Sequence, residues 1–207
     1  MMSMPSLVKL KGFKMRKTLN IASAVLLLTF VSAVNAENVW RIGATYSFQE
    51  VDINGRDFDA AGLTAGYLYN QYVGLEVRFL AGTSGYSGFY GMPDAPWGNY
   101  SEDINTQASL LLKAQYPIFK AIKLYGLAGY SNTEIEINGL AQQNDAEGNI
   151  TGNVPYKQTI TEGGFTYGVG LDYQISERFD VFVDYQVLPD FRSRDWDSIT
   201  IGVSYSF

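Results

Sequence analysis

Apolar and polar positions alternate one for one along most of the chain after residue 37. Side chains of a strand point to opposite faces in turn, so this alternation predicts strands with one apolar and one polar face. The last nine residues show it most plainly. Ile199, Ile201, Val203, Tyr205 and Phe207 share one face, while Thr200, Gly202, Ser204 and Ser206 share the other. Further runs repeat the pattern over Trp40 to Phe48, Ala61 to Tyr69, Val73 to Phe79, Ile104 to Tyr116, Phe165 to Tyr173 and Phe179 to Val187. In the Ile104 run, Ile104, Thr106, Ala108, Leu110, Leu112, Ala114 and Tyr116 are expected on the apolar face. A less regular run, Ile122 to Ser131, is expected to turn Ile122, Leu124, Ala128 and Tyr130 outward.

Short connections follow Tyr69, Tyr116 and Tyr173, and they alternate with longer polar segments near 49–57, 82–103, 132–161 and 188–197. Eight strands joined in this way suit an up-and-down antiparallel sheet. Tyr and Phe gather near the strand ends, where an apolar ring with a polar tip suits a membrane boundary. In hydrocarbon each unpaired backbone amide costs several kcal/mol, so a spanning sheet must close on itself. The expected fold is therefore all-β, an eight-stranded antiparallel up-and-down transmembrane β-barrel. Eight strands enclose an interior that side chains can fill, whereas a wide water channel needs about twice as many. A secreted soluble barrel of lipocalin type would reverse the faces, with the apolar side inward.

The start of the chain reads differently. Lys9, Lys11, Lys14, Arg16 and Lys17 precede the apolar run Ile21 to Val31, and Val34-Asn35-Ala36 follows. These are the basic, apolar and small-residue parts of a secretory signal peptide. The run falls short of the ~20 apolar residues that a spanning helix needs. Residues 1–36 are expected to be the leader, with Met15 a candidate for the true start, and 37–207 the barrel domain.

Charge narrows the partners. All 21 acidic residues but only 10 of the 15 basic ones follow Ala36, so the mature chain carries about 10 − 21 = −11. That excess disfavours nucleic acid, whose phosphates it would repel. The sequence has no cysteine and no histidine. Thiolate metal sites are therefore excluded, and the side chain best suited to acid–base work near neutral pH is missing. No catalytic, cofactor-binding or metal residue is assigned, and no enzyme activity is expected. The acidic segment Asn144 to Asn149 lacks the regular spacing of a calcium loop and reads as a solvated loop.

The inward faces carry Glu76, Arg78, Lys113, Asp172 and Asp184. Charges in a narrow lumen are costly unless paired, so an internal salt-bridge plug is expected. A narrow channel for ions or small solutes is the alternative. Tyr86, Phe89, Tyr90, Trp97 and Tyr100 cluster in the second long segment, either as a contact surface or as packing over the barrel mouth.

The leader, the alternating strands and the ending Ile201-Gly202-Val203-Ser204-Tyr205-Ser206-Phe207 resemble the small eight-stranded outer-membrane barrels of OmpA/OmpX type and the related opacity-type surface antigens. The resemblance implies a monomer in the outer membrane of a Gram-negative bacterium, in contact with lipid and lipopolysaccharide. It implies that Val203, Tyr205 and Phe207 form a signal read by the barrel-insertion machinery. It also implies a structural or surface-interaction role, with any extracellular ligand held by loops 82–103 and 132–161.

Overall fold

The computed structural model describes residues 39–52, 55–90 and 98–207. The leader assigned to residues 1–36 lies outside them. The strands are β1 (Val39–Val51), β2 (Asp57–Leu68), β3 (Val73–Ser84), β4 (Tyr86–Tyr90), β5 (Gly98–Pro117), β6 (Ile122–Asn144), β7 (Ile150–Gln174), β8 (Phe179–Phe191) and β9 (Arg194–Ser206). All described pairings are antiparallel. β1 joins β9, and β3 joins β5, so the sheet closes. β3 and β4 both pair with β5 and act as two pieces of one stave, which makes an eight-stranded closed barrel.

The three short turns are built by their own residues. Asn70 Oδ1 accepts from the Tyr72 and Val73 amides at 2.8 Å each. Ser176 Oγ does the same for Arg178 and Phe179. The Tyr116 turn closes through backbone bonds between Ile118 and Ile122.

At the opposite end the strands run far past the expected boundaries. Segment 132–161 is mostly sheet: β6 and β7 stay paired from Ile122↔Tyr173 up to Asn144↔Ile150. The described parts of 82–103 are largely strand, and 188–197 is a hairpin turning at Arg192 and Ser193. Both turn residues have positive φ, 50° and 64°, the hand that matches strand twist in a two-residue hairpin. Segments 132–161 and 188–197 and the described parts of 82–103 are thus strand extensions rather than irregular loops, a correction to the sequence reading.

A switch of faces explains the extensions. On β6, Leu124, Ala128 and Tyr130 face outward, and Tyr125, Leu127 and Ser131 face inward. Beyond Ser131 the outward positions become Asn132, Glu134, Glu136 and Asn138, while the inward ones become Ile135 and Ile137. The period of two continues, but its polarity inverts. β2 and β9 do the same, with Asp57 and Asp59 outside Phe58 and Ala60, and Asp195 and Asp197 outside Trp196. Roughly nine residues per strand keep an apolar outer face, close to the 9–11 that a tilted strand needs to cross hydrocarbon. One half is built for lipid outside, the other for water outside.

On β5 the switch needs a bulge. The register shifts between Ile104 and Thr106, which puts Ile104 inside and leaves Ala108, Leu110 and Leu112 outside. The expectation that Ile104 shares the lipid face is therefore corrected. One extra residue reverses the phase of everything beyond it.

Candidate functional site

Three layers fill the interior. The lowest, nearest the short turns, contains the charges. Arg78 lies on β3 with a side chain 2% exposed, and its guanidinium grips Asp184 of β8 with both terminal nitrogens, at 3.0 and 2.7 Å. Its Nε donates to Glu76 at 2.7 Å. Lys113 of β5 lies 3.8 Å from Glu76 and 3.5 Å from Asp172 of β7. Arg41 of β1 links Asp172 at 3.0 Å to Asp180 of β8 at 3.2 Å. The result is one chain of alternating sign: Asp180, Arg41, Asp172, Lys113, Glu76, Arg78, Asp184.

Neighbouring side chains hold this chain in place. Tyr125 and Gln186 both donate to Asp184, at 2.8 and 2.7 Å. The Lys113 ammonium lies 3.8 Å from the centre of the Tyr125 ring, and Arg78 lies over Phe182. Leu111, Tyr125, Leu127 and Phe182 form a small apolar cluster beside the charges. Paired in this way, the charges fill space without leaving any of them isolated.

The structure brings all five inward charges named from the sequence, Glu76, Arg78, Lys113, Asp172 and Asp184, into this one network. Sequence reasoning missed Arg41, Asp180 and Tyr125 as members. Arg41 and Asp180 sit on inward positions beside the short turns, so the alternation could have found them. Tyr125 lies in the least regular run, where the faces are hardest to assign.

The middle layer is neutral and polar. Gln49 donates to Gln107 at 2.8 Å, and Gln107 to Thr133 at 2.9 Å. Ser109 and Ser131 share a hydrogen bond, and Thr200 donates to Ser47. Above it lies an apolar core of Val51, Phe58, Ala60, Leu80, Ile104, Ile135, Ile137, Leu188, Phe191 and Trp196. Phe58, Phe191 and Trp196 meet as a ring cluster. Arg56 closes the top: its Nε lies 2.8 Å from Glu102, and its guanidinium lies over Tyr86.

The other candidates separate. Of the aromatic cluster, Tyr86 and Tyr100 pack together on the inner side, while Phe89 is 59% exposed on the outer side. Trp97 and the Tyr90 side chain lie outside the described residues. Asp145 uses its oxygens to hold its own turn, accepting from the Glu147 and Asn149 amides and from the Asn149 side chain. Those hydrogen bonds keep its carboxyl below the usual aspartate range. Among the described residues no acidic cluster could hold a metal ion. In β9, Val203 faces outward among exposed neighbours, and Phe207 is exposed at the barrel's lower rim.

A closed eight-stranded barrel with a lipid-facing belt and a filled lumen has known counterparts. The family model described as outer membrane protein beta-barrel domain matches residues 21–207. The chain belongs to that family. It is an outer-membrane protein. Among solved structures it is similar to the N-terminal barrel domain of Pseudomonas aeruginosa OprF, with 18% identity, 83% of this chain and 99% of that one covered, and a TM-score of 0.50. It is also similar to Ail, the attachment invasion locus protein of Yersinia pestis, with 15% identity, the same coverage and a TM-score of 0.52. Ail has been solved with the heparin analogue sucrose octasulfate as well, a structure 17% identical to this chain over 83% of it and 99% of that chain, at a TM-score of 0.50. At these identities the likeness shows the fold alone. No curated protein matches the sequence.

Proposed function

We propose that this outer-membrane protein is a non-conducting surface barrel whose strand extensions carry its recognition. Short turns of such barrels face the periplasm, which puts the extended end outside the cell. The observation that carries the reading is the filling of the lumen. A buried ion-pair chain lies below, and an apolar core that excludes water lies above it. An ion crossing this path would have to break the first and enter the second, and both steps are costly. The extensions leave a rigid, water-facing wall outside the membrane, where binding residues commonly collect. A sequence without histidine supports a role other than acid–base catalysis. Ail in complex with a heparin analogue supports the idea that a fold of this kind can present an extracellular ligand site.

Two further parts of the reading concern assembly. Residues 1–36 act as the cleaved leader. The outward positions of Val203, Tyr205 and Phe207 support their reading as the signal for the insertion machinery. Planar-bilayer recording tests the main claim. The native protein should give little or no conductance, and a large, steady current would promote the narrow-channel reading instead.

A further inference from the structure

The extended wall carries a feature that the barrel itself does not require. Above the membrane belt, β4, β5, β6 and the upper part of β7 form a sheet that stands beyond the shorter strands. Register places Ser87, Ser101, Asn138 and Lys157 in one row across its outer face, and Phe89 beside Asn99 in the next. Leu140, paired with Pro155, continues on that face. Ser87, Phe89, Asn99, Ser101, Asn138 and Leu140 line a shallow hollow of about 600 Å³. That volume falls within the usual range for small-ligand sites.

The lining identifies a chemistry. Among the described residues no charged side chain borders the hollow. Beside it on the outer face, Lys157 is paired with Glu136, and Asp103 lies opposite Glu136 in the sheet. Asn138 donates its amide hydrogen to Glu136, which fixes the side chain and leaves its carbonyl oxygen able to accept elsewhere. An exposed aromatic ring flanked by two carboxamides and two hydroxyls combines an apolar platform with neutral donors and acceptors. A pyranose ring presents the complement: an apolar face of C–H groups and a rim of hydroxyls that both donate and accept. An apolar peptide would leave the amides unpaired, and a polyanion would meet at the described rim only a Lys157 already paired with Glu136, with a strongly acidic protein around it.

We infer that this hollow binds a neutral saccharide, with a sugar ring on Phe89 and its hydroxyls on Asn99, Asn138, Ser87 and Ser101. The inference rests on the surface-interaction reading and names its site and ligand class. Height adds to the case. The outer face of β6 turns polar at Asn132, and Asn138 lies six residues further, roughly 20 Å along a strand at about 3.3 Å per residue. A neutral sugar at that level can come from the outer hexoses of the lipopolysaccharide core of the same membrane or from a glycan on another cell. The chemistry is shared by both.

The test uses the barrel in phosphatidylcholine nanodiscs, free of any glycan. Three probes are compared: the neutral hexose oligosaccharide of the lipopolysaccharide outer core, released and freed of phosphate and acidic sugars, a neutral mannose hexasaccharide, and a heparin hexasaccharide. Saturation-transfer NMR and affinity measurements should show at least one of the first two bound more tightly than heparin. Tighter binding of the released core assigns the source to the cell's own surface, and tighter binding of the mannoside assigns it to foreign glycans. Phe89→Ala should weaken that binding ~10-fold or more, as loss of an aromatic anchor does, while Phe89→Tyr keeps it. Asn99→Ala should weaken it as well. Because Phe89 is exposed, gel mobility without boiling should show each variant folded. Preference for heparin, indifference to Phe89→Ala, or no saccharide binding overturns the inference. Where the mannoside is the tighter ligand, attachment of intact cells to a host cell layer that needs the β6–β7 extension but ignores Phe89→Ala also overturns it, while leaving the surface role in place. A large steady conductance would instead remove the reading on which it rests.

Discussion

The membrane half and the outer half of this barrel share the same eight staves and the same ladder, but they bury opposite things. Below, Val203, Ile201 and Leu124 face lipid, and Arg78, Asp184 and Lys113 face the lumen. Above, Glu134, Glu136 and Asp197 face outward, and Ile135, Trp196 and Phe58 face inward. Backbone pairing is indifferent to this exchange, because hydrogen bonds lie in the plane of the sheet and side chains stand out of it. The solvent outside decides which face must be apolar. The outer half is stabilised as a soluble barrel is, by burying apolar surface from water. The lower half cannot be, since lipid is as apolar as its own outer side chains. Its lumen must instead be held by pairing.

That difference can be broken most severely from inside. Arg78→Ala would leave Asp184 in the lumen without a cation and Glu76 with Lys113 alone, and removing one member of a buried pair costs about 3–5 kcal/mol. Denaturant unfolding in lipid should show the loss as a lower midpoint for the whole barrel. Trp196→Ala should also cost about 3–5 kcal/mol, through the cavity it leaves. Its effect should be confined to the outer half, however, with hydrogen exchange faster in the upper strands and unchanged near Arg78. Equal exchange in both halves would mean that they fold as one unit and that the division is only chemical.

The outer faces give a smaller but sharper contrast. Val203→Arg puts a charge into hydrocarbon and should cost about 2–4 kcal/mol if Val203 lies near the midplane. Glu134→Arg makes the same kind of change on the outer half and should cost little, because its face meets water. Folding yield and unfolding midpoint in the same bilayer compare the two. Similar costs at both sites would put the membrane boundary in the wrong place.

Much of the lower half was legible, and the reason is local. An uninterrupted run such as Phe165, Tyr167, Val169, Leu171 and Tyr173 signals its period and its faces without help from neighbours. The outer half was harder to read because its signal is present but inverted. Glu134-Ile135-Glu136-Ile137 alternates as regularly as any strand in the chain, but it has the opposite phase to Leu124 and Tyr130 on the same strand. Against a lipid-facing template that reads as a break, and the Asn- and Gly-rich segment that follows reads as a loop. The Ile104 bulge hides in the same way, since a phase reversal costs one residue and leaves no Gly or Pro to mark it. Of the lumen network, charge type and inward position were visible in sequence. The alternating order from Asp180 to Asp184 depends on which staves lie next to each other across the lumen, and no spacing within a strand reports that.

The mildest test uses the charges of the outer half. Glu136 accepts from Lys157 and from Asn138, and the hydrogen bond from Lys157 is the main influence holding its carboxyl below the usual glutamate range. A carboxyl with a lowered folded-state pKa contributes stability above its unfolded pKa of about 4.3 and loses it as pH falls through the folded value. The hairpin of β6 and β7 should therefore keep its full protection at neutral pH and lose a little only in the acid range below about 4. Lys157 is largely exposed, so water and salt screen the pair and the effect should be small. Hydrogen exchange at the paired amides, corrected for intrinsic rates, should show that loss in the native protein. Glu136→Gln should remove that loss at the amides around Glu136 and Lys157, while the turn held by Asp145 keeps its own acid response and the hairpin stays folded, because Ile135 and Ile137 on the inner face hold it in place. If Glu136→Gln unfolded the hairpin at neutral pH, the outer half would be held by surface charge rather than by its apolar core.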